Sequence, residues 1–424
     1  MSQGSQDILV LSHLVPWPTT SGVLLRCYHL LREAARRHRV HLFALNQEVL
    51  LPPEQVAASV RHLASFCAEV QVFPLADAGS RARYATLLAK NTLSPLPYSV
   101  PRFYSPDLES AVIDLLSRRP IRLLQFETLA MAQYGALAPD LPAILVHQNH
   151  ESALMGRRSG GEGNPFARLY LGLQARKLAA YEALICRAQA ANITVSEADR
   201  AALAARIPDA RYVVVPNGVD VETFVPGPDP GGAELVFVGG MSWFPNRDAM
   251  RWFLSEIWPI VRRAAPAARL TVVGSHPAAE VRRAEDRGEG VTAVGLVPDI
   301  RPYVGRAAVY ICPLRVGGGT RLKILDAWAM GKAVVSTPIG AEGLEAAAGR
   351  DLELATDPGE FARRILDLIA DPAHRQRLGA AGRRRVEEDF AWPKVAAPLL
   401  KLYDQLAVAH AEGRSAPLEL GSGA

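Results

Sequence analysis

Apolar runs of four to six residues recur along this chain, separated by stretches whose apolar residues return every three or four positions. The first pattern predicts buried strands and the second amphipathic helices. Strands are predicted over residues 8–11, 40–45, 70–73, 122–126, 143–146, 192–195 and 212–215. Helices are predicted over 23–36, 54–66, 108–116 and 170–188; in the first, Leu24, Leu25, Tyr28, Leu31 and Ala35 share a face. The breaker-rich stretch Val225-Pro226-Gly227-Pro228-Asp229-Pro230-Gly231-Gly232 then interrupts the pattern and reads as a linker. Beyond it the alternation restarts, with strands over 235–238, 270–273, 291–294, 308–312 and 333–336 and a helix through 252–262. This predicts an α/β fold of parallel sheets with crossover helices. The chain divides into two Rossmann-like halves, 1–225 and 226–392, then a helix over 393–410 and a Gly/Ser-rich tail over 411–424 that reads as disordered.

Composition narrows the class. At 424 residues two domains are the natural expectation. A hydrophobic content of 49% with 21% charged residues describes a folded globular protein. The net charge of +4 is too mild for a nucleic-acid footprint, so no nucleic-acid partner is expected. Cys27, Cys67, Cys186 and Cys312 lack any C-x-x-C spacing and read as buried free thiols, with no metal site, in a reducing cytoplasm. The polar start and the short apolar run 8–11 are not a signal sequence, and no apolar run is long enough to span a membrane. Basic residues crowd the first half at Arg81, Arg83, Arg157, Arg158, Arg168, Arg176 and Lys177. Solvated helix faces and peripheral contact with the inner face of a membrane both account for them.

Candidate chemistry is densest between Gly317 and Leu344. Gly317, Gly318 and Gly319 are followed by Thr320, Arg321 and Lys323, then by a helix-like run ending at Gly331. Glycines let backbone N–H groups approach an anion, and a following helix N-terminus adds positive field. Arg321 and Lys323 supply full charges for a diphosphate. Asp326, six residues after Thr320, offers a carboxylate to sugar hydroxyls. The run Leu325-Asp326-Ala327-Trp328-Ala329-Met330-Gly331 with Ala333-Val334-Val335 resembles the nucleotide-sugar signature of retaining GT-B glycosyltransferases. These are the group-1 (glycogen-synthase-like, family 4) type, here in the branch with a G-x-G-T-R-x-K donor motif. That family carries two glutamates with seven residues between them; the second matches Asp326, and the first falls on Gly318 and is missing. The resemblance implies that Asp326 holds the nucleotide ribose and leaves the sugar-binding acid unassigned.

Other strand ends add candidates. Gly22 follows Thr19, Thr20 and Ser21 in the turn after the first strand; a capped helix explains it, and the resemblance implies a role beside the donor phosphate. Val146-His147-Gln148-Asn149-His150-Glu151 sets a row of polar groups at a strand end. The resemblance implies contact with the reacting sugar, through His147 by strand-end alignment or through His150 after a shift. Glu127 either polarises an acceptor hydroxyl or caps the next helix. Pro216-Asn217-Gly218-Val219-Asp220 resembles the family's inter-domain turn and reads as hinge geometry. Arg247 stands where the family sets cations against the diphosphate, and Val297 and Asp299 lie in a G-x-V-x-D-like segment whose backbone meets the nucleobase.

The resemblance implies GT-B architecture, two Rossmann-like domains facing a central cleft, with the last helix crossing back to the first domain. It implies transfer of a sugar from a nucleoside-diphosphate sugar to an unidentified glycan, lipid-linked or small-molecule acceptor, with retention. No cofactor beyond the donor and no metal is expected, since no Asp-x-Asp pair occurs and cations stand in for one. A sugar-nucleotide epimerase and a silent nucleotide-sugar-binding subunit are the alternatives.

Overall fold

The computed structural model describes residues 5–47, 51–75, 81–148, 150–316 and 322–412, and these divide into two compact units. The first comprises residues 1–215 with 396–424, the second residues 216–395.

In the first unit β1 (Asp7–Ser12), α1 (Gly22–Ala35), β2 (Arg39–Asn46), α2 (Pro53–Leu63) and β3 (Glu69–Pro74) come in succession. Next are α3 (Arg81–Asn91), α4 (Ser99–Arg102), α5 (Pro106–Arg118) and β4 (Ile121–Phe126). A 3-10 stretch (Leu129–Leu137) leads to β5 (Ala143–Val146), α6 (Glu151–Gly160), α7 (Pro165–Ala188) and β6 (Ala191–Thr194). The unit closes with α8 (Glu197–Arg206) and β7 (Tyr212–Val214). The strands form one parallel sheet in the order β3-β2-β1-β4-β5-β6-β7. Every residue of β1 is buried, as a parallel strand covered on both faces requires, which is why it reads as an unbroken apolar run.

The second unit repeats the plan. It runs β8 (Glu234–Val238), α9 (Phe244–Trp252), α10 (Trp258–Ala264), β9 (Arg269–Val273), α11 (Ala279–Asp286) and β10 (Val291–Gly295). Then come α12 (Arg301–Arg306), β11 (Val309–Cys312), α13 (Leu322–Ala329), β12 (Ala333–Ser336) and β13 (Glu353–Leu354). Helices α14 (Pro358–Ala370), α15 (Pro372–Arg385) and α16 (Trp392–Ala411) follow. Its parallel sheet has the order β10-β9-β8-β11-β12-β13. Alternate residues feed two cores: Phe237, Ile311 and Val335 pack into one, and Val236, Tyr310 and Val334 into the other.

Four expectations are corrected. The helix predicted over 252–262 starts at Phe244, and a π turn (Phe253–Ile257) joins α9 to α10 just before Pro259, whose missing N–H cannot continue an α ladder. The division falls before Pro216, not at 226, because the stretch between bonds into the second unit. Val219 N–H donates to the Phe390 carbonyl at 2.8 Å, and the Arg383 guanidinium donates to the carbonyls of Phe224 (2.7 Å), Val221 (3.1 Å) and Ala329 (2.6 Å). The Pro/Gly-rich stretch is likewise anchored, its Asp229 carboxylate paired with the buried Arg375 guanidinium, so breakers there mark a held loop. Ala411 ends α16 and so is helical, while residues 413–424 of the expected tail lie outside the described residues. From Ala396 on, α16 belongs to the first unit, where the Tyr403 hydroxyl donates to Gln125 Oε1.

Candidate active site

Strand order reverses between β8 and β11, and the carboxyl ends on either side of such a reversal are where open α/β sheets bind ligands. After β8 the chain enters Gly239-Gly240. A Cβ on Gly239 would stand 2.6 Å from Asn246 Nδ2 and 2.8 Å from Lys323 Nζ, so only glycine fits. Gly274, after β9, has φ +151°, and a Cβ there would lie 2.2 Å from the Gly239 carbonyl oxygen. The two strand ends are therefore closed backbone to backbone, and Gly239 N–H donates to the Val273 carbonyl at 2.8 Å. Next to Gly274-Ser275, the exposed His276 takes φ +55°, a left-handed conformation uncommon for a non-glycine residue.

Against this surface rest the side chains of α9 and α13. Buried Asn246 donates through Nδ2 to the Gly240 carbonyl at 2.9 Å and accepts through Oδ1 from Lys323 Nζ at 2.7 Å. Lys323 Nζ also lies 4.3 Å from the centroid of the Phe237 ring. Its ammonium is thereby fixed at the strand end. Arg247, on the same helix as Asn246, stacks over Phe244 at 5.8 Å and has no carboxylate partner among the described residues. By contrast Arg315, just after β11, is locked to Asp248 by two bonds of 2.7 and 3.1 Å.

Asp326 lies one helical turn beyond Lys323, on the same side of α13. It is half-buried, its carboxyl meets no hydrogen-bond donor among the described residues, and desolvation pushes its pKa up to about 7. Among acids of this unit that contrast is sharp. Asp299 accepts from the Arg301 backbone N–H at 2.9 Å and from its guanidinium at 2.9 and 3.1 Å, so only the backbone of Val297 to Asp299 is left to face a ligand. Val297 itself packs against the core. Gly318, Gly319, Thr320 and Arg321 lie outside the described residues. A fixed ammonium, with a guanidinium and a carboxyl that lack ion-pair partners among the described residues, suits at this strand reversal a ligand that carries both anionic oxygens and hydroxyls. Asn246, the residue that positions Lys323, went unremarked in the sequence, where an asparagine inside a helix carries no signal of its own.

In the first unit Gly22 opens α1, with Ser21 as its N-cap: Leu24 N–H donates to Ser21 Oγ at 3.4 Å. Glu127 is 2% exposed and accepts from Gln125 Nε2 at 2.5 Å and from Gln148 Nε2 at 3.1 Å. Burial raises its pKa, opposed by those bonds and by the buried Arg26 guanidinium, which donates to the Val215 carbonyl at 2.6 Å. Glu127 caps no helix. That task falls to Glu151, whose Oε1 accepts from the Leu129 N–H at 3.2 Å and the Thr128 hydroxyl at 2.7 Å.

The two histidines separate. His147, 3% exposed, turns Nε2 inward to Asn192 Oδ1 at 3.2 Å and Cys186 Sγ at 3.6 Å, and burial lowers its pKa. It is a core histidine whose ring faces the interior. His150 is half-buried, with Nε2 3.3 Å from Glu182 Oε2 and 3.3 Å from the Arg206 guanidinium. Glu182 also accepts the Ser152 hydroxyl, while its Oε1 is buried without a partner. All four cysteines are buried and free. Among the described residues no three His, Cys, Asp or Glu side chains gather as a metal site, and no helix is long and apolar enough to cross a membrane.

Residues 232–371 match a family model described as glycosyl transferases group 1, and residues 20–223 match one described as glycosyltransferase family 4. Alpha-maltose-1-phosphate synthase of Mycolicibacterium smegmatis is 28% identical over 219 residues, 46% of this chain and 56% of its own. The chain spans about half the length of the curated relatives it matches first, between 45% and 56%. Among solved structures, sucrose-phosphate synthase from Thermosynechococcus elongatus superposes with a TM-score of 0.67 at 19% identity, covering 95% of this chain and 100% of that one. Anabaena Alr3699/HepE, in complex with UDP and glucose, superposes with a TM-score of 0.63 at 14% identity, covering 94% of this chain and 99% of that one. With two Rossmann-like parallel-sheet units, each matched by a glycosyltransferase model, the chain belongs to the group-1, family-4-like glycosyltransferases of GT-B architecture.

Proposed function

We propose that the protein transfers a sugar from a nucleoside-diphosphate sugar to an acceptor nucleophile, with retention at the anomeric carbon and without a metal ion. The observation that carries this reading is the carboxyl of Asp326, without a hydrogen-bond donor among the described residues, beside the Asn246-held ammonium of Lys323 at the strand reversal of the second unit. Lys323 and Arg247 offset the charge that grows on the departing diphosphate, an interaction stronger in the transition state than in the ground state. Asp326 accepts the two ribose hydroxyls, which supply the donors its carboxyl lacks. The Gly-rich segment 317–321 lends backbone N–H groups and Arg321 to the phosphates, and the backbone of residues 295–299 lies along the base. The first unit contributes His150, oriented by Glu182, to the reacting sugar, while Glu127 and His147 hold the strand ends that present it. Relatives of this chain include a GDP-mannose-dependent mannosyltransferase, and one structural neighbour binds UDP and glucose, in line with a nucleotide-sugar donor.

A thermal-shift screen of the full chain against UDP-, GDP-, ADP- and TDP-sugars tests the donor assignment, because a ligand of the folded state raises its melting temperature. Stabilisation by one nucleotide class, followed by sugar transfer to an added acceptor pool, is the expected result. No stabilisation by any class overturns the reading. Epimerised donor in the absence of acceptor overturns it in favour of an epimerase, and binding without turnover favours a silent donor-binding subunit.

A further inference from the structure

Helix α7 has an outer face that stands exposed among the described residues. Phe166, Leu169, Leu173, Ala180 and Leu184 recur at helical spacing along it, and Phe166 is 83% exposed, Leu169 75% and Leu184 65%. The stripe is about 27 Å long at the helical rise per residue. Scattered exposed leucines are ordinary, but an apolar stripe with an aromatic end, broken midway by the turn that carries Arg176 and Lys177, marks a surface meant for contact. The packed inner face of α7 carries Gln174, Leu178, Tyr181, Glu182 and Cys186, so the outer stripe is not needed to hold the helix in place.

Neighbouring elements extend the patch. Leu154 on α6 is exposed, and so are Leu93 and Leu96 in the turn after α3. That turn is tied to the flank of α7: Gln174 Nε2 donates to Asn91 Oδ1 at 2.7 Å and Lys177 Nζ to the Asn91 carbonyl at 2.6 Å. Cations rim the apolar surface. Arg157, Arg158 and Arg176 are exposed and form no ion pair among the described residues, while Arg187 pairs with the exposed Asp209 at 3.6 Å and donates to the Ala183 carbonyl at 3.4 Å. The acids of the hairpin lie elsewhere, Glu182 and Glu151 turned inward to polar partners and Glu162 at the turn between α6 and α7.

We infer that this face docks on an anionic phospholipid membrane, with the α7 stripe seated at the boundary between headgroups and acyl chains and the arginines reaching lipid phosphates. An apolar face edged by Lys and Arg is what an interfacial helix needs. A second copy of the chain fits less well: a two-fold contact sets the patch against itself, bringing unpaired arginines onto like charges with no acid to answer them. The inference is independent of the transferase reading and stands whether or not a sugar is moved.

Co-sedimentation of the full chain with vesicles tests it, using phosphatidylcholine alone and an equal mixture with phosphatidylglycerol. The mixture is expected to pull the protein down, less so at high salt, and phosphatidylcholine alone to leave most of it in solution. Phe166→Ser with Leu169→Ser should abolish sedimentation while the melting temperature is unchanged, since both side chains are exposed. Replacing Arg157, Arg158 and Arg176 by Gln should weaken partitioning about fivefold per charge removed. Absence of binding to the mixture, or equal binding by both variants, overturns the inference. So does sedimentation velocity showing that the Phe166 and Leu169 changes split a dimer and leave vesicle binding intact.

Discussion

Replacing Asp326 by Asn separates the two consequences of burying an acid without a partner. An aspartate that ionises near 3.8 in an unfolded chain and at about 7 in the folded one is held against its charge. Below about pH 4 both states are protonated and nothing is lost. Between about 4 and 7 the unfolded chain ionises first, and above 7 the folded state carries a penalty of up to about 4 kcal/mol. Asn removes the charge and keeps the size, leaving an imperfectly satisfied amide that costs about 1–3 kcal/mol. Asp326→Asn should therefore stabilise the ligand-free second unit at pH 8 by about 1–3 kcal/mol, with the gain shrinking or reversing at pH 5. Five of the six tryptophans, Trp243, Trp252, Trp258, Trp328 and Trp392, lie in that unit, so fluorescence-monitored unfolding reports on it. The nucleotide should respond in the opposite sense. Losing two charge-assisted bonds to ribose weakens the nucleoside diphosphate about 10- to 100-fold by calorimetry at pH 8. A variant that is less stable at pH 8, or that binds the diphosphate as tightly as the parent, would refute the assignment and make Asp326 a structural acid.

Three further substitutions probe the rest of the site. Lys323→Ala should cut turnover about a hundredfold or more while activity survives EDTA, and full dependence on added magnesium or manganese would contradict a cationic site. His150→Ala should lower turnover with little change in nucleotide affinity, whereas His147→Ala should cost about 1–3 kcal/mol of first-unit stability and leave the turnover of folded protein near normal. The opposite outcome in that pair of kinetic and unfolding measurements would return the catalytic role to His147. Gly274→Ala forces a Cβ to 2.2 Å from the Gly239 carbonyl, so it should lower the melting temperature and weaken nucleotide binding together. Normal binding in that variant would show that the glycine contact does not shape the donor site.

Both sheets are legible in the sequence because a parallel strand covered on two faces must be apolar throughout; the predicted 143–146 and 333–336 coincide with β5 and β12. Lys323 and Asp326 are legible for a different reason: glycines, cations and an acid are concentrated in one segment before one helix. Short polar helices such as α6 and α8 escape, since few of their residues are buried and the periodic signal is weak. The unit boundary also misleads, because proline and glycine mark where the chain cannot be regular and say nothing about what holds it.

The order of apolar and polar residues by itself determined the α/β class, the two-fold repetition of the plan and where most of the strands lie. Those follow from local rules, the two-residue period of a strand and the burial that a parallel sheet imposes. Only the tertiary structure decided how each side chain at a strand end is held. His147 and His150 are three residues apart in the chain, and their directions are set by Asn192, Cys186, Glu182 and Arg206, contributed by α7, β6 and α8. Asn246 and Lys323 lie far apart in the chain and meet because β8 and β11 are neighbours in the sheet. Such meetings depend on long-range packing, for which a sequence pattern holds no local signal.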